Sequence, residues 1–297
     1  YEIRDRDEAV SIMVDKANIA ADTIKNNYDC CVAYYDEHLL EISIEQRRLL
    51  GEFEPALQND EFVMYLQPQV KRDGAAKGAE ALVRWVHPSR GILTPYAFID
   101  ILENAGLIYK LDLYIWEKAA QKLAEWKEKG YGSYHISVNI STKDFYIIDI
   151  YETFTGLINK YGIAASNLHL EITETTLMTD FEKNMNIIHK LQGVGFRVEI
   201  DDFGSGYSSL NMLKDISADV LKIDMGFLRK SENEVKGQDI LESIITLAGK
   251  IGMDVITEGV ETKKQLDMLT MMGCHEFQGY YFSKPVPVSE FEEKYLV

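Results

Sequence analysis

The chain has 297 residues, 46% of them hydrophobic, which is enough to bury the core of one large domain and argues against a disordered protein. Its formal net charge is −17. A surface this acidic repels long polyanions, so long nucleic acids are disfavoured as partners. A phosphodiester substrate would have to be small, and it would be held by metal ions rather than by a basic groove.

The cysteines indicate the cellular compartment, and the first residue bears on the extent of the protein. Cys30, Cys31 and Cys274 show neither a disulfide pattern nor a metal-ligand spacing, which favours a reducing cytoplasm. The sequence begins with Tyr1 and shows no signal-peptide pattern, so it is interpreted as part of a longer protein. That longer protein could be anchored in a membrane through a segment outside this sequence.

The first 58 residues are predicted to be mainly helical. Apolar residues recur at helical spacing over 2–27 and again over 37–58, and the run 30–35 between them is predicted to be a short strand. This front segment is too small to form a domain by itself. We therefore expect it to lie outside the domain that follows.

From about residue 61, short β-rich runs alternate with segments of helical length. The predicted strands are 62–70, 79–86, 135–140, 168–172, 197–201, 219–223, 254–257 and 275–280. The predicted helices include 111–130, 150–161, 180–193, 234–250 and 262–271. This alternation predicts an α/β fold, a TIM-like (β/α)8 barrel, with a doubly wound open sheet as the alternative.

Polar and mostly acidic residues stand at the carboxyl ends of the predicted strands. They are Asn139, Glu171, Asp201, Asp202, Lys222, Asp224 and Glu258. In a parallel barrel these ends converge on one mouth, where active sites are built. One acidic residue after a strand is ordinarily a helix cap or a solvated loop residue, but several converging carboxylates are costly to bury without cations.

Oxygen ligands without His or Cys favour Mg²⁺ or Mn²⁺ at such a mouth. The histidines are scattered along the sequence, and they are interpreted as packing or surface residues rather than ligands. They include His87, His135, His169, His189 and His275.

A second polar layer is predicted beneath the strand ends. Because side chains alternate along a strand, His169 faces the same way as Glu171, and Glu199 the same way as Asp201. If the two strands are neighbours, His169 and Glu199 lie side by side and form a hydrogen bond or an ion pair. The alternative is that Glu199 uses another partner or water.

Short motifs occur in an order and spacing that resemble the EAL domain family of cyclic-di-GMP phosphodiesterases. They are Gln67-Pro68, Glu80-Ala81-Leu82-Val83-Arg84, Val138-Asn139-Ile140-Ser141, Glu171-Ile172-Thr173-Glu174, Asp201-Asp202-Phe203-Gly204-Ser205-Gly206, Leu221-Lys222-Ile223-Asp224, Glu258-Gly259-Val260-Glu261 and Gln278-Gly279-Tyr280. A lone Glu-Ala-Leu would carry no weight, but the ordered set across about residues 61–295 is specific.

The resemblance implies a barrel whose first strand is antiparallel, and an enzyme that hydrolyses cyclic di-GMP to linear pGpG in bacterial second-messenger signalling. It also implies two ions of Mg²⁺ or Mn²⁺ per active site, held by Glu80, Asn139, Glu171, Asp201, Asp202 and Glu258. The first four would hold one ion, and Asp201 would bridge to the second. Two cations neutralise a phosphodiester and activate a water, so no histidine base is needed.

Further roles follow from the same resemblance. The implied catalytic residues are Lys222, Glu258, Gln278 and Asp202, and Lys222 would hold the attacking water. The implied substrate contacts are Gln67, Arg84 and Asp224. Glu174 resembles the residue that anchors a flexible loop.

Three positions depart from the family pattern without removing a metal ligand. Leu66 stands where Tyr is usual, which puts one substrate-side contact in doubt. Ser205 replaces the commoner Thr but keeps a hydroxyl, and Glu199 occupies a position that is usually small and apolar.

The resemblance also gives domain boundaries and partners. Residues 1–45 resemble the C-terminal fragment of a GGDEF domain with its linker helix, 46–60 the end of that helix, and 61–297 the EAL barrel. Upstream GGDEF and sensor domains are expected in the longer protein. A homodimer is expected through about residues 205–230.

Two alternative functions remain open. One is a catalytically silent cyclic-di-GMP receptor of the same fold, although silent members typically lose metal ligands and this chain has lost none. The other is a general metal-dependent nuclease, against which the acidic charge argues.

Overall fold

The computed structural model describes residues 8–25, 31–204, 216–224, 226 and 234–296. The helices are α1 (Val10–Asp22), α2 (Glu37–Gln58), α3 (Ile99–Asn104), α4 (Ile108–Glu128), α5 (Asp144–Ile147), α6 (Ile150–Tyr161), α7 (Glu174–Thr179), α8 (Phe181–Val194), α9 (Glu234–Lys250), α10 (Lys263–Met271) and α11 (Val288–Tyr295). The strands are β1 (Phe62–Lys71), β2 (Ala76–His87), β3 (Gly91–Leu93), β4 (His135–Ile140), β5 (Leu168–Thr173), β6 (Val198–Phe203), β7 (Val220–Asp224), β8 (Asp254–Glu258), β9 (Glu276–Phe277) and β10 (Val286–Pro287).

Eight of these strands close into a barrel. Their order is β1, β2, β4, β5, β6, β7, β8 and β9, after which β9 pairs with β1 again. Strand β1 is antiparallel to both of its neighbours, and the pairs from β2 round to β9 are parallel. The predicted (β/α)8 barrel with an antiparallel first strand is confirmed, and the open-sheet alternative is wrong.

Strand β5 shows how the barrel sorts its side chains. Leu168, Leu170 and Ile172 are fully buried and face the helices, whereas His169 and Glu171 alternate with them and face the barrel interior. A run that is buried on both faces is typical of a parallel strand. The apolar core therefore lies between strands and helices, and the barrel interior is left for polar side chains.

The front segment packs on the barrel through α2. Phe53 of α2 contacts Phe62 of β1 with ring centroids 5.6 Å apart. Glu52 Oε2 lies 2.9 Å from Nε2 of the buried His87 at the end of β2. The predicted boundary at 45–46 falls inside α2, and the assignment of 1–45 to a GGDEF fragment stays a prediction.

The predicted strand at 30–35 is wrong over its described residues, 31–35, which have no regular structure. A strand needs a partner for its backbone hydrogen bonds, and none of the described strands pairs with this run. The helix predicted over 2–27 spans Val10–Asp22 within the described range. None of the described helices is both long enough and apolar enough to cross a membrane.

Candidate active site

The carboxyl ends of the parallel strands place a lysine among four carboxylates. Lys222 Nζ lies 2.8 Å from Glu258 Oε1 and 3.0 Å from Glu171 Oε1. It lies 3.4 Å from both Glu80 Oε2 and Asp201 Oδ1. Lys222 and Glu171 are fully buried. The structure thus brings together these predicted site residues from strands β2, β5, β6, β7 and β8.

Amide side chains fix the carboxylate of Glu80. Gln278 Nε2 donates to Glu80 Oε2 at 2.5 Å and to Gln67 Oε1 at 3.3 Å. Asn139 Nδ2 donates to the other oxygen, Glu80 Oε1, at 3.1 Å. Gln67 and Glu80 are direct partners across β1 and β2, so the antiparallel first strand positions Gln67 here.

Burial and mutual repulsion set the protonation of this cluster. Burial lowers the pKa of Lys222, but the charges of Asp201, Glu171, Glu258 and Glu80 outweigh it and hold the pKa well above its usual value. Burial, joined by the charge of Glu80, raises the pKa of Glu171 well above its usual range. Burial likewise raises the pKa of Glu258 to about 8. One ammonium therefore does not compensate four carboxylates.

The carboxylate of Glu171 tests whether a cation fits this mouth. It is fully buried, and neither of its oxygens has a hydrogen-bond partner among the described residues. Its 3.0 Å contact with Lys222 is an ion pair without hydrogen-bond alignment. Buried carboxylate oxygens without a hydrogen bond, beside surplus negative charge, suit a hard divalent cation. The residues present therefore fit Mg²⁺ or Mn²⁺.

A local distortion of β6 brings Asp202 to the same region. The register with β7 shifts between Ile200 and Phe203, and Asp202 has a φ of 55°, which is uncommon for a residue other than glycine. The Asp202 N–H donates to Asp201 Oδ1 at 2.9 Å. Burial, joined by the charges of Asp201 and Asp224, raises the pKa of Asp202. Asp202 and Asp224 thus lie close to the cluster.

The residues predicted to contact substrate lie around this centre. Arg84, farther along β2, places its guanidinium carbon 5.4 Å from the ring centroid of Tyr65. Gln67 Nε2 donates to the carbonyl oxygen of Ser283 at 3.4 Å. Leu66 is fully buried on the opposite face of β1, so its departure from the family pattern affects core packing and not the mouth.

Two predictions fall largely on residues that the structure does not describe. Glu174 begins α7 directly after β5, but 205–215, after the Asp201-Asp202 pair, lies outside the described residues. Of the predicted dimer segment, 205–230, only 216–224 and 226 are described. The loop anchor and the dimer stay predictions.

The predicted second layer is confirmed. His169 Nδ1 lies 2.5 Å from Glu199 Oε1, and Ser137 Oγ donates to the same oxygen at 3.2 Å. Glu199 is fully buried. Burial raises its pKa, but the hydrogen bond and charge of His169 outweigh this and leave the pKa below its usual value.

An acidic pair near Asn139 was not predicted. Asp144 Oδ2 accepts hydrogen bonds from Ser141 N and Oγ at 2.8 and 2.9 Å. Burial, joined by the charge of Asp144, raises the pKa of Asp112 well above its usual range. Asp112 shares a helical face with Ile108 and Ile115, and a carboxylate on an apolar helix face is the signal that would have found it.

Asp112 borders a cavity of about 410 Å³ that reaches Asn139. Trp116, which also lines the cavity, donates its Nε1–H to the carbonyl oxygen of Asn139 at 2.9 Å. The bond fixes the backbone that carries the predicted amide ligand. Trp116 thereby links α4 to the strand end that carries Asn139.

Fold and site together define a (β/α)8-barrel domain with a cluster of oxygen donors at the carboxyl ends of its strands. Residues 51–285 match the family described as "EAL domain", so the chain belongs to the EAL domain family.

Named relatives and a solved structure share this domain. The bifunctional diguanylate cyclase/cyclic di-GMP phosphodiesterase MucR of Pseudomonas aeruginosa is 32% identical over 272 residues, 91% of this chain and 39% of that protein. Cyclic di-GMP phosphodiesterase PdeR of Escherichia coli is 33% identical over 240 residues, 81% of this chain and 36% of that protein. The chain thus spans less than half the length of these two relatives.

A solved structure of the PaMucR phosphodiesterase in complex with c-di-GMP is 33% identical to this chain. It superposes with a TM-score of 0.78 over 82% of this chain and 99% of that one.

Proposed function

We propose that this chain hydrolyses cyclic di-GMP to linear pGpG, using two Mg²⁺ or Mn²⁺ ions per active site. The observation that carries the proposal is the cluster of four carboxylates around buried Lys222, in which the oxygens of Glu171 have no hydrogen-bond partner among the described residues. The similarity to relatives named as cyclic di-GMP phosphodiesterases supports the choice of substrate.

The residues at the carboxyl-end mouth would have different roles in holding the ions. Glu80, Asn139, Glu171 and Asp201 would hold one ion, and Asp201, Asp202 and Glu258 would hold the second. When bound, such ions neutralise the phosphodiester and activate a water. Gln278 fixes Glu80 through its 2.5 Å hydrogen bond.

Lys222 would orient the attacking water beside these ligands. The surrounding carboxylates keep its pKa well above the usual value, so it stays charged at neutral pH and stabilises developing negative charge. Gln67, Arg84 and Asp224 would contact the nucleotide, with the guanidinium of Arg84 suited to a phosphate oxygen.

A silent receptor of the same fold is the alternative that the experiment must exclude. A receptor needs only Gln67, Arg84 and a shaped pocket. It has no use for Lys222 and Glu258 beside the metal ligands, and crowded buried carboxylates repel one another when no metal is bound. The retention of this cluster therefore favours the enzyme.

The test compares the parent chain with Glu80→Ala and Lys222→Ala, following cyclic di-GMP loss and pGpG formation by chromatography with Mg²⁺ or Mn²⁺. Each change should slow turnover by roughly 100- to 1000-fold, the usual weight of one electrostatic contributor. Glu54→Ala on α2, an exposed position that pairs with Lys110, is the matched control and should leave the rate unchanged. Tight binding by the parent without turnover in either metal would establish the receptor.

We further propose a homodimer through about residues 205–230, which would couple subunit contact to the loop after Asp202. Solution mass measured by light scattering should correspond to two chains when substrate and metal are present. A single-chain mass under all of these conditions would contradict it.

A further inference from the structure

The opposite mouth of the barrel holds a second polar cluster, near the amino ends of the strands. It consists of His135, His169 and Glu199, from which one potential ligand atom each lies within 4.8 Å of the others. They line a cavity of about 490 Å³ at this end. His169 and Glu199 precede Glu171 and Asp201 by two residues on the same strands, so about 7 Å of strand separates the two layers.

One oxygen of the Glu199 carboxylate has no hydrogen-bond partner in the described part of the chain, and the proposed hydrolysis at the other mouth does not explain why. Its Oε1 is close to His169 and Ser137, but its Oε2 has no hydrogen-bond partner among the described residues. The side chain is fully buried, where an anionic oxygen without a hydrogen-bond partner is costly. An unpaired anionic oxygen in this setting points to a cation.

Each histidine uses one ring nitrogen as a metal-ligating histidine does. His169 Nε2 lies 3.2 Å from the carbonyl oxygen of Ser166, and His135 Nε2 lies 2.7 Å from Oε1 of Gln69. Both partners are acceptors, which suits a proton on each Nε2. Nδ1 of His169 then faces Glu199 Oε1, where an ion would replace their hydrogen bond. Ligating histidines ordinarily donate their other N–H to such an acceptor.

His135 is also held in the neutral form that binds metals. Burial, joined by the charge of His169, lowers its pKa to about 3. A Cβ at Gly78 would lie 2.4 Å from the His135 ring, so only glycine leaves room for this imidazole. The sequence of β2 thus reserves space for His135.

The two imidazoles stack with their centroids 3.8 Å apart and their planes 4° from parallel. Nitrogen lone pairs in parallel planes do not meet at one point, so a shared ion requires the His135 ring to turn out of the stack and away from its present position beside Gln69 and Gly78. The cavity that His135 lines leaves space for this turn.

We propose that His135, His169 and Glu199 form a binding site for a transition-metal ion of the Zn²⁺ class, separate from the oxygen-donor site at the other mouth. Two imidazole nitrogens and one carboxylate are a donor set of zinc sites, whereas Mg²⁺ prefers oxygen ligands. The ion would connect strands β4, β5 and β6 directly beneath Glu171 and Asp201.

The test uses Co²⁺ as a spectroscopic probe for Zn²⁺, titrated into the metal-stripped full chain. A Glu80→Gln/Asp201→Asn background weakens the oxygen-donor site and leaves the histidine site intact. We expect one Co²⁺ per chain in this background, with the visible absorption of a nitrogen-ligated ion, and its displacement by Zn²⁺. In the same background, His135→Gln should weaken Co²⁺ binding more than about 100-fold, since even an outer-shell change costs 10- to 100-fold.

Matched variants separate the site from adventitious binding. His275→Gln removes another histidine and should leave Co²⁺ affinity unchanged. If His135→Gln fails to fold, Glu199→Gln replaces it as the ligand deletion and should cause the same loss. The proposal is overturned if the background variant binds no Co²⁺, or if the ligand deletion binds it as tightly as the background.

Discussion

The two mouths of this barrel share strands β5 and β6, on which their donors lie two residues apart, and yet they present different donors. At the carboxyl ends, four carboxylates surround the buried ammonium of Lys222. At the amino ends, two stacked imidazoles adjoin one buried carboxylate, Glu199. Oxygen donors select hard cations, and imidazole shifts the preference to transition metals. A step of two residues along β5 and β6 therefore changes the cation that each end of the barrel suits.

Removal of Lys222 should have the largest effect on stability. Lys222→Met leaves four carboxylates without their common cation, and breaking a buried ion pair typically costs about 3–5 kcal/mol. Urea unfolding of the metal-free chain measures the loss, which saturating Mg²⁺ should partly restore. Unchanged stability of the metal-free variant would show that the carboxylates are protonated and that Lys222 is not their counterion.

Glu171→Gln separates catalysis from stability. Turnover of cyclic di-GMP should fall by roughly 100- to 1000-fold, because a metal ligand is lost. The metal-free chain should at the same time gain stability, since burial already holds the pKa of Glu171 well above its usual range. Co²⁺ binding at the histidine cluster serves as the internal control and should not change. A rate equal to that of the parent would remove Glu171 from the ligand set.

Gly78→Ala perturbs the amino-end cluster only by steric crowding. Its Cβ would lie 2.4 Å from the His135 ring, and overpacking of this kind costs about 1–3 kcal/mol in the free energy of unfolding. Gly51→Ala is the matched control, because Gly51 lies inside α2 with no atom within 4 Å of its added Cβ. The control should be neutral or stabilising by up to about 1 kcal/mol. Equal effects of the two changes would contradict the close approach at His135.

Asp112→Asn gives the smallest effect and a defined pH dependence. The pKa of Asp112 is raised well above 3.8, so above that pH the folded state holds a proton that the unfolded chain releases. Stability then falls as pH rises through the folded pKa. The asparagine amide can donate a hydrogen bond to Asp144 without taking up a proton from solution. The free energy of unfolding of the variant should therefore exceed that of the parent by about 1 kcal/mol at neutral pH. Unfolding curves of parent and variant from pH 4 to 8 should diverge with rising pH; parallel curves would contradict the shift.

Much of the fold could be predicted from the sequence, because polar residues stand at the carboxyl ends of predicted strands and mark where those strands stop. The run Leu168-His169-Leu170-Glu171 predicted both a strand and an inward-facing carboxylate, and the pairing of His169 with Glu199 followed from side-chain alternation. The run 30–35 misled because its composition favours a strand while no partner strand lies beside it among the described residues. Local pattern predicts an element, and tertiary pairing decides whether it forms.

The parts of the site that were missed depend on contacts between distant segments. His135 meets His169 only because β4 and β5 are paired and Gly78 of β2 leaves room for its ring. The coupling of Asp112 to Asp144 likewise joins α4 to a helix that follows β4. Such juxtapositions cannot be read from periodicity, since they require the closed barrel and its register.

The central claim is that the carboxyl-end mouth hydrolyses cyclic di-GMP with the help of divalent ions. The most direct measurement is the initial rate of pGpG formation by the metal-stripped chain, before and after Mg²⁺ or Mn²⁺ is restored. We predict no turnover without metal and saturable recovery with either ion, unchanged by His135→Gln. Tight binding of cyclic di-GMP with no turnover in either ion would contradict the claim.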